Sequence, residues 1–385
     1  MSGRVFIHVQ HLLGTGHARR AAAIAAALAE AGFAVEMASG GPPIPGLAAG
    51  GARLIQLPAL RARDAGFKTL VDGTGRPVDD AWCGARRDQL LAHVRRFQPD
   101  VVITELFPFG RRLIEFELVP LVESVRMQRP RPLILASLRD ILVAPRSPAK
   151  AAEAIRRVEA WYDAVIVHGD PSLIDLPASY PAAQAVAAKT YYTGYIASQP
   201  GPEAPPGVGT GEIVVSAGGG AVGAALFDAA LAARRNGFAA DRTWRLLLGG
   251  DLPAGARERL TAQADATLIV EPARRDFVSL LGRCHVSVSQ AGYNTAMDII
   301  QANARAVLVP FATDGETEQT QRAAAFAARG WAEVVAEGEL DATHLAAAIA
   351  AAAARPPARR TLNCDGERQT VRRVTELLER HRASR

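Results

Sequence analysis

The chain has 385 residues, 49% of them hydrophobic and 22% charged. That excludes a disordered or collagen-like polypeptide and predicts two or three globular domains. The net charge of +5 lies wholly in the first half, where residues 1–195 carry 23 Lys and Arg against 18 Asp and Glu, while residues 196–385 carry 21 of each.

Such an excess is either a solvated surface or an attraction to something anionic, an acidic acceptor or a lipid headgroup surface. No basic cluster is interleaved with aromatics, so nucleic acid is not an expected partner. The longest uncharged runs, Met37 to Ala52 and Ile213 to Phe227, are broken by prolines or glycines. Neither approaches the roughly 20 apolar residues of a membrane-spanning helix. No secretory signal is visible, and Cys83, Cys284 and Cys364 are too scattered for a disulfide framework or a zinc site. A cytoplasmic protein, at most peripheral to a membrane, is the expectation; the oligomeric state is not readable.

In chain order, the first predicted strand, Val5 to Val9, runs into HLLGTGHARR and an alanine-rich helix from Ala18 to Ala31. Gly14 and Gly16 let backbone amides approach a ligand at a helix N-terminus, which carries a partial positive charge. His17 stands at that opening. An imidazole titrating near neutrality suits a general base for an acceptor hydroxyl, although a loop histidine without a chemical role fits the pattern too. The third glycine of the dinucleotide fingerprint is missing, which counts against a nicotinamide cofactor.

Further strands are predicted at Val101 to Ile103, Leu133 to Leu135 and Val165 to Val167. Ligands of parallel α/β sheets bind beyond the carboxyl ends of the strands. On that rule Arg111, Arg139, His168 and Tyr195 are expected to face an acceptor, and Glu105 and Asp140 are second candidates for the base. Buried salt bridges and turn caps are the plainer alternative.

Gln199 to Gly211, rich in proline and glycine, reads as a linker. It separates a first domain, 1–198, from a second, 212–360. In the second, apolar runs at Ile213, Leu246, Leu268, Val286 and Val307 again alternate with helices, so both domains are expected to hold buried parallel sheets. After the strand ending at Ser216 comes AGGGAVG, whose Gly218, Gly219 and Gly220 suit a cradle for phosphate oxygens but lack the Walker ending.

The segment from Val286 to Gly330 reads strand, loop, helix, strand, polar loop, helix. Asp298 lies one turn inside the first of these helices, where a carboxylate can accept two ribose hydroxyls. Thr313, Asp314, Glu316, Glu318 and Gln319 crowd the next strand end, which suits a polyhydroxylated ligand or simply a solvated loop. The last segment, 361–385, places Val371, Val374, Leu377 and Leu378 on one helical stripe. It packs either back across the domain junction or on the second domain alone.

The motif strand–SQAGYNTAMD–helix–VLVPF–polar loop–Gln–Arg-Ala helix resembles the donor half of glycosyltransferases with the GT-B fold, in particular family 28. The N-terminal GTGHARR is similar to the Gly-rich His loop of that family and to the Gly-x-Gly-His-x-x-Arg of a related nucleotide-sugar hydrolase. The resemblance implies an α/β chain of two Rossmann-like domains with parallel sheets facing a central cleft. It implies a nucleotide-diphospho-sugar, uridine-linked, held through its ribose by Asp298 and through its diphosphate by Ser216 to Gly220 and Ala291-Gly292. Gln290, Asn294 and Thr295 belong to that same loop and helix start. Gln319, with Glu318 beside it, would meet the sugar, and the base would lie near Arg274 to Phe277.

Two departures leave the sugar open: Asp298 replaces the usual Glu, and Glu318-Gln319 replaces paired glutamines. The family's lipid-acceptor loop is not recognisable, so a peptidoglycan role is not implied. No Asp-x-Asp or metal-ligand spacing occurs, so neither a metal nor a resident cofactor is expected. The reading is an inverting glycosyl transfer to an unknown acceptor. A nucleotide-sugar hydrolase, a non-hydrolysing epimerase and a non-catalytic sugar-nucleotide sensor are the alternatives.

Overall fold

The computed structural model describes residues 3–12, 14–63, 69–143, 145, 147–197, 201–217, 223–250, 252–312, 317–356 and 361–385. The chain divides into two compact units. The first comprises Met1–Pro171, Asp175–Ile196 and Asn363–Arg385, and the second Ser172–Ile174 and Ala197–Leu362.

The strands of the first unit are β1 (Arg4–Val9), β2 (Ala34–Ser39), β3 (Arg53–Gln56), β4 (Leu60–Ala62), β5 (Leu70–Asp72), β6 (Val101–Glu105), β7 (Leu133–Arg139), β8 (Ala164–His168) and β9 (Thr190–Tyr192). Its helices are α1 (Gly16–Glu30), α2 (Asp80–Phe97), α3 (Glu115–Arg126), α4 (Pro148–Trp161) and α5 (Leu176–Ser179). Seven strands form a parallel sheet in the order β3-β2-β1-β6-β7-β8-β9, and β4 and β5 pair as a small antiparallel ribbon. Successive residues of a strand face opposite sides. Phe6 accordingly enters one core with Val102 and Ile134, while Val5 and Ile7 enter the other with Val101 and Leu133. Both faces are covered, which is why these strands read as continuous apolar runs.

The second unit holds β10 (Ile213–Ser216), β11 (Trp244–Leu248), β12 (Leu268–Pro272), β13 (Val286–Ser289), β14 (Ala306–Leu308) and β15 (Glu333–Val334). Its helices are α6 (Ala224–Arg235), α7 (Ala254–Thr261), α8 (Phe277–Arg283), α9 (Tyr293–Ala302), α10 (Glu318–Ala328) and α11 (Ala342–Ala354). The strands lie parallel in the order β12-β11-β10-β13-β14-β15. In each sheet the order reverses once, next to the first strand of the unit: between β1 and β6, and between β10 and β13. Such a reversal is where open α/β sheets bind ligands.

One feature departs from the sequence expectation, and one that the sequence left open is decided. The described part of the presumed linker, from Gly201, packs on the second unit. The Ala204 amide donates to Ser279 Oγ at 2.9 Å, and Arg283 reaches the Ala204 carbonyl at 2.8 Å and Glu203 at 2.9 Å. The final helix, α12 (Gly366–Ala383), belongs to the first unit. Its Val374, Leu377 and Leu378 are buried with Ala21, Ile24 and Leu28 of α1. A stripe of that kind requires an apolar partner without saying which one.

Charge is buried in the first unit as well. Arg86 of α2 and Glu117 of α3 are fully enclosed, with Nε to Oε2 at 2.7 Å and Nη2 to Oε1 at 3.0 Å. His8 Nε2 meets the same carboxylate at 3.1 Å. Arg86 also donates to the carbonyl of Gly40 at 2.9 Å, to the Pro58 carbonyl, and to Gln10 Oε1 at 2.7 Å. It thereby ties α2 and α3 to the chain beyond β1 and β2. Burial alone would raise the Glu117 carboxyl, but the His8 and Arg86 hydrogen bonds hold it at about 2.

Candidate active site

At the first reversal, β1 leads through Gly14, whose φ of +62° suits a residue without a Cβ, into α1. Thr15 makes no side-chain cap there, and the first turn holds no acid. His17 therefore stands at an uncapped helix start, with 16% of its side chain exposed. Its Nδ1 lies 2.9 Å from Oε1 of Glu105, the last residue of β6. Arg20, one turn along α1, donates to the same oxygen, and Ser137 Oγ donates to Oε2 at 2.6 Å.

A carboxylate only accepts, so the His17 Nδ1 must carry the hydrogen and Nε2 the lone pair. The 3.2 Å approach of Arg20 to Nδ1 is then a close neighbour rather than a bond. Among the described residues nothing is bonded to Nε2. Burial and the Arg111 cation push the His17 imidazole down to about 3, even against the Glu105 hydrogen bond. Burial works to raise Glu105 in turn, but Arg20, His17 and Ser137 outweigh it and hold the carboxyl well below the usual carboxylate range. The result is a neutral histidine whose proton acceptor is free and whose other nitrogen is fixed by a carboxylate, the arrangement of a general base.

The other residues expected at this end fall into two groups. Arg111, at φ +64° in the loop after β6, is half-buried, and its Nε is enclosed without a partner among the described residues. Burial, with Arg139 and Arg20 nearby, lowers its guanidinium to about 10. Arg139, at the end of β7, is half-buried. Arg111 thus adds positive charge beside His17, and Arg139 lies near Arg111.

Asp140, His168 and Tyr195 are each 0% exposed. His168 bonds Ser137 and Thr193 rather than facing outward, and Tyr195 pairs by its backbone with Asn363 and Gly366. The expectation that His168 and Tyr195 meet an acceptor is corrected: strand-end position does not separate a side chain facing a ligand from one packed beneath the loops. Glu105 is likewise corrected from second-choice base to partner of His17, because three donors already occupy it. Asp140, without accessible surface, is not placed to take a proton from an acceptor.

At the second reversal, Ser216 ends β10. Gly218, Gly219 and Gly220 lie outside the described residues, as do Thr313, Asp314 and Glu316. Gly223, which opens α6, sits so close to Ala217 that a Cβ there would come within 2.0 Å of the Ala217 Cβ. Only glycine lets strand and helix join this tightly.

Across the reversal, β13 runs through Gln290, Ala291 and Gly292 into α9, which has no side-chain cap. Gln290, Gly292 and Thr295 are half-buried, Ala291 is buried, and Asn294 is exposed. Asp298, in the second turn of α9, is half-buried with no hydrogen-bond partner among the described residues. Burial pushes its carboxyl up to about 7. A carboxylate left in that condition gains from any hydroxyls brought to it.

Glu318 and Gln319 hold this loop together. Gln319 Oε1 accepts from the amides of Ala291 and Phe311, each at 3.1 Å. The fully buried Arg322 donates to the Ala291 carbonyl at 2.8 Å and to Glu318 Oε1 at 2.7 Å, with its guanidinium 5.7 Å from the Tyr293 ring centre. Glu318 is therefore an ion-pair partner of Arg322, and among the described residues nothing is bonded to the amide NH2 of Gln319.

Arg274 is also engaged. It grips Asp276 at 2.8 and 2.6 Å and reaches Glu271 at 3.2 Å, while Phe277 opens α8 half-buried. Sequence reasoning missed Arg20, Ser137 and Arg322. Only Arg20 had a signal, since it follows His17 by three residues on one helical face; Ser137 meets Glu105 as its register partner in the sheet, which no local pattern announces. Among the described residues no group of three or more His, Cys, Asp or Glu converges as a metal site, and no helix is long and apolar enough to cross a membrane.

Two parallel α/β units, each reversing strand order beside its first strand, make the fold of the GT-B glycosyltransferases. The calicheamicin glycosyltransferase CalG4 superposes with a TM-score of 0.62 at 14% identity, covering 98% of this chain and 95% of that one. The MurG of Acinetobacter baumannii superposes with a TM-score of 0.61 at 15% identity, covering 97% and 99%.

Within that fold, residues 258–375 match the glycosyltransferase family 28 C-terminal domain. Over 105 residues the chain is 32% identical to the UDP-N-acetylglucosamine–N-acetylmuramyl-(pentapeptide) pyrophosphoryl-undecaprenol N-acetylglucosamine transferase of Sinorhizobium fredii (strain NBRC 101917 / NGR234). Over 80 residues it is 35% identical to the enzyme of the same name from Rhodospirillum centenum (strain ATCC 51521 / SW). These alignments span 28% and 21% of the two relatives and 26% and 21% of this chain.

Proposed function

We propose that the protein is a glycosyltransferase that moves a sugar from a nucleotide diphosphate, uridine-linked, to a hydroxyl acceptor with inversion at the anomeric carbon. The observation that carries the chemistry is the His17–Glu105 pair, with Nδ1 bonded to the carboxylate at 2.9 Å and Nε2 left to accept. The acceptor hydroxyl gives its proton to Nε2, and its oxygen forms the new bond to the anomeric carbon. The bond from that carbon to the phosphate oxygen breaks, and nucleoside diphosphate leaves with the electron pair. Glu105 stabilises the imidazolium that forms.

The donor belongs to the second unit, whose family-28 segment contains Asp298. This reading is supported by the half-buried Asp298 carboxyl, which has no hydrogen-bond partner among the described residues, and by the glycine-bearing strand ends that suit a diphosphate. Asp298→Ala should weaken UDP binding by about 1.5–3 kcal/mol, the worth of hydrogen bonds to a charged group. Unchanged affinity by calorimetry in the folded variant would remove the donor assignment. A panel of UDP-sugars, assayed for released UDP and free sugar with and without cell extract, separates transfer from hydrolysis.

The charge of the departing diphosphate falls in this reading to helix N-termini and backbone amides. Activity should therefore persist in EDTA; complete loss restored by magnesium or manganese would contradict it. Peripheral contact with an anionic membrane belongs to the same proposal. Met127, 75% exposed, lies between Arg126 and Arg129 beside a cavity of about 560 Å³ that Trp161 also lines.

A further inference from the structure

The Glu105 carboxylate is itself held by a longer series of hydrogen bonds with no part in the reaction as drawn. Ser137 Oγ lies 2.6 Å from Glu105 Oε2 and 3.0 Å from His168 Nε2. His168 Nδ1 lies 3.0 Å from Thr193 Oγ1. Every member except His17 is buried: Glu105 is 1% exposed, Ser137 3%, His168 0% and Thr193 1%.

The direction of each bond follows from what its atoms can do. Glu105 has no hydrogen to give, so the single Ser137 hydrogen points to it. Ser137 must then accept from His168, which places that proton on Nε2. Burial and the nearby Arg20 push the His168 imidazole down to about 3, so its Nδ1 carries a lone pair and accepts from Thr193. Two longer contacts are weaker: Thr193 to the Val167 carbonyl and Thr370 to His168 Nδ1 are each 3.5 Å. Thr370 gives its own hydrogen to the Gly366 carbonyl at 2.6 Å, and from α12 it closes the far end of the series. All the hydrogens run one way, from Thr193 through His168 and Ser137 to Glu105, where they meet the one from His17.

We propose that Ser137 and His168 are positioning residues that, acting through Glu105, hold His17 with its proton on Nδ1 and its lone pair on Nε2. Ser137 fixes one carboxylate oxygen, leaving the other to face His17 and Arg20. His168 fills the acceptor position of Ser137 and so keeps the serine hydrogen aimed at Glu105. If His168 carried its proton on Nδ1 instead, the single Ser137 hydrogen could serve only one of its two neighbours, and lone pairs would oppose each other across either 2.6 or 3.0 Å. That His17 acts as a base rests on the glycosyl-transfer reading; which nitrogen holds its proton does not.

The test is a long-range proton–nitrogen NMR correlation on full-length protein labelled with 15N-histidine, without ligand. His17 should show a protonated Nδ1 and an unprotonated Nε2, and His168 the reverse. In Ser137→Ala, His17 should populate both tautomers, whereas Ser137→Thr should retain the wild-type pattern. His168→Leu should loosen His17, and His168→Gln, which keeps a donor at the Nε2 position, should restore it. Circular dichroism confirms that each variant is folded, and the Thr and Gln variants decide the matter if a truncation is not. Where a donor sugar turns over, Ser137→Ala should lower kcat about tenfold or more and leave KM within about twofold, because the group it positions acts in the transition state. A wild-type His17 carrying its proton on Nε2, or an unchanged His17 pattern in folded Ser137→Ala, overturns the proposal whether or not a sugar is transferred.

Discussion

His17→Ala is expected to lower nucleotide-sugar turnover by about 10²–10⁴-fold while leaving UDP affinity nearly intact. The loss is of a proton acceptor, and Asp298, assigned to the donor, is on a different unit from His17. The pH profile should show the same environment. A histidine at its ordinary value of about 6.5 would lose activity through that point. With burial and Arg111 holding His17 at about 3, turnover should show no acid limb near 6.5.

The sign for stability follows from the same shift. Between about 6.5 and 3 the unfolded chain takes up a proton that the folded one refuses. Stability is therefore full above about 6.5 and falls with acid by about 1.4 kcal/mol per pH unit for each such histidine. His168 shares this behaviour, so the variant should keep part of the acid sensitivity and lose the rest. Near-normal turnover in His17→Ala would defeat the mechanism, because Glu105 is engaged by three donors and Asp140 is fully buried.

The second large effect lies away from the chemistry. Glu117→Ala leaves Arg86 without its carboxylate in a fully enclosed place, and about 3–5 kcal/mol of stability should be lost. The Gly40, Pro58 and Gln10 contacts that remain are to neutral oxygens and do not balance the charge. The double variant Arg86→Met with Glu117→Leu should recover much of the loss, since it removes both charges and restores volume. Urea unfolding of the two proteins measures this directly. Equal stability of Glu117→Ala and wild type would mean that Arg86 finds another partner or water. UDP affinity should be unchanged in both, because the pair lies in the first unit and Asp298 in the second.

Much of the architecture was legible because parallel strands buried on both faces leave continuous apolar runs. Val5 to Val9, Val101 to Ile103, Ile213 to Val215 and Val286 to Val288 are all strands of the two sheets. β2 was not legible. Glu36 interrupts its apolar run, and it is buried with one carboxylate oxygen 3.1 Å from Arg53 on β3. No local pattern announces a partner on the next strand.

The site divides in the same way. His17 and Asp298 were candidates from the sequence alone, because each lies within the first two turns of a helix that follows a glycine-bearing strand end, the region where open α/β sheets bind ligands. Which of Glu105, Asp140, His168 and Tyr195 could meet a ligand was decided only by tertiary structure. Their spacing from the strands is similar, but their fates depend on what covers them: α12, from the far end of the chain, closes over His168, and β7 brings Ser137 to Glu105. Sequence by itself thus determined the class of fold and the chemical types at its two reversals. Tertiary structure determined their surroundings, because the direction of a buried hydrogen bond and the cost of a buried charge depend on neighbours distant in the chain.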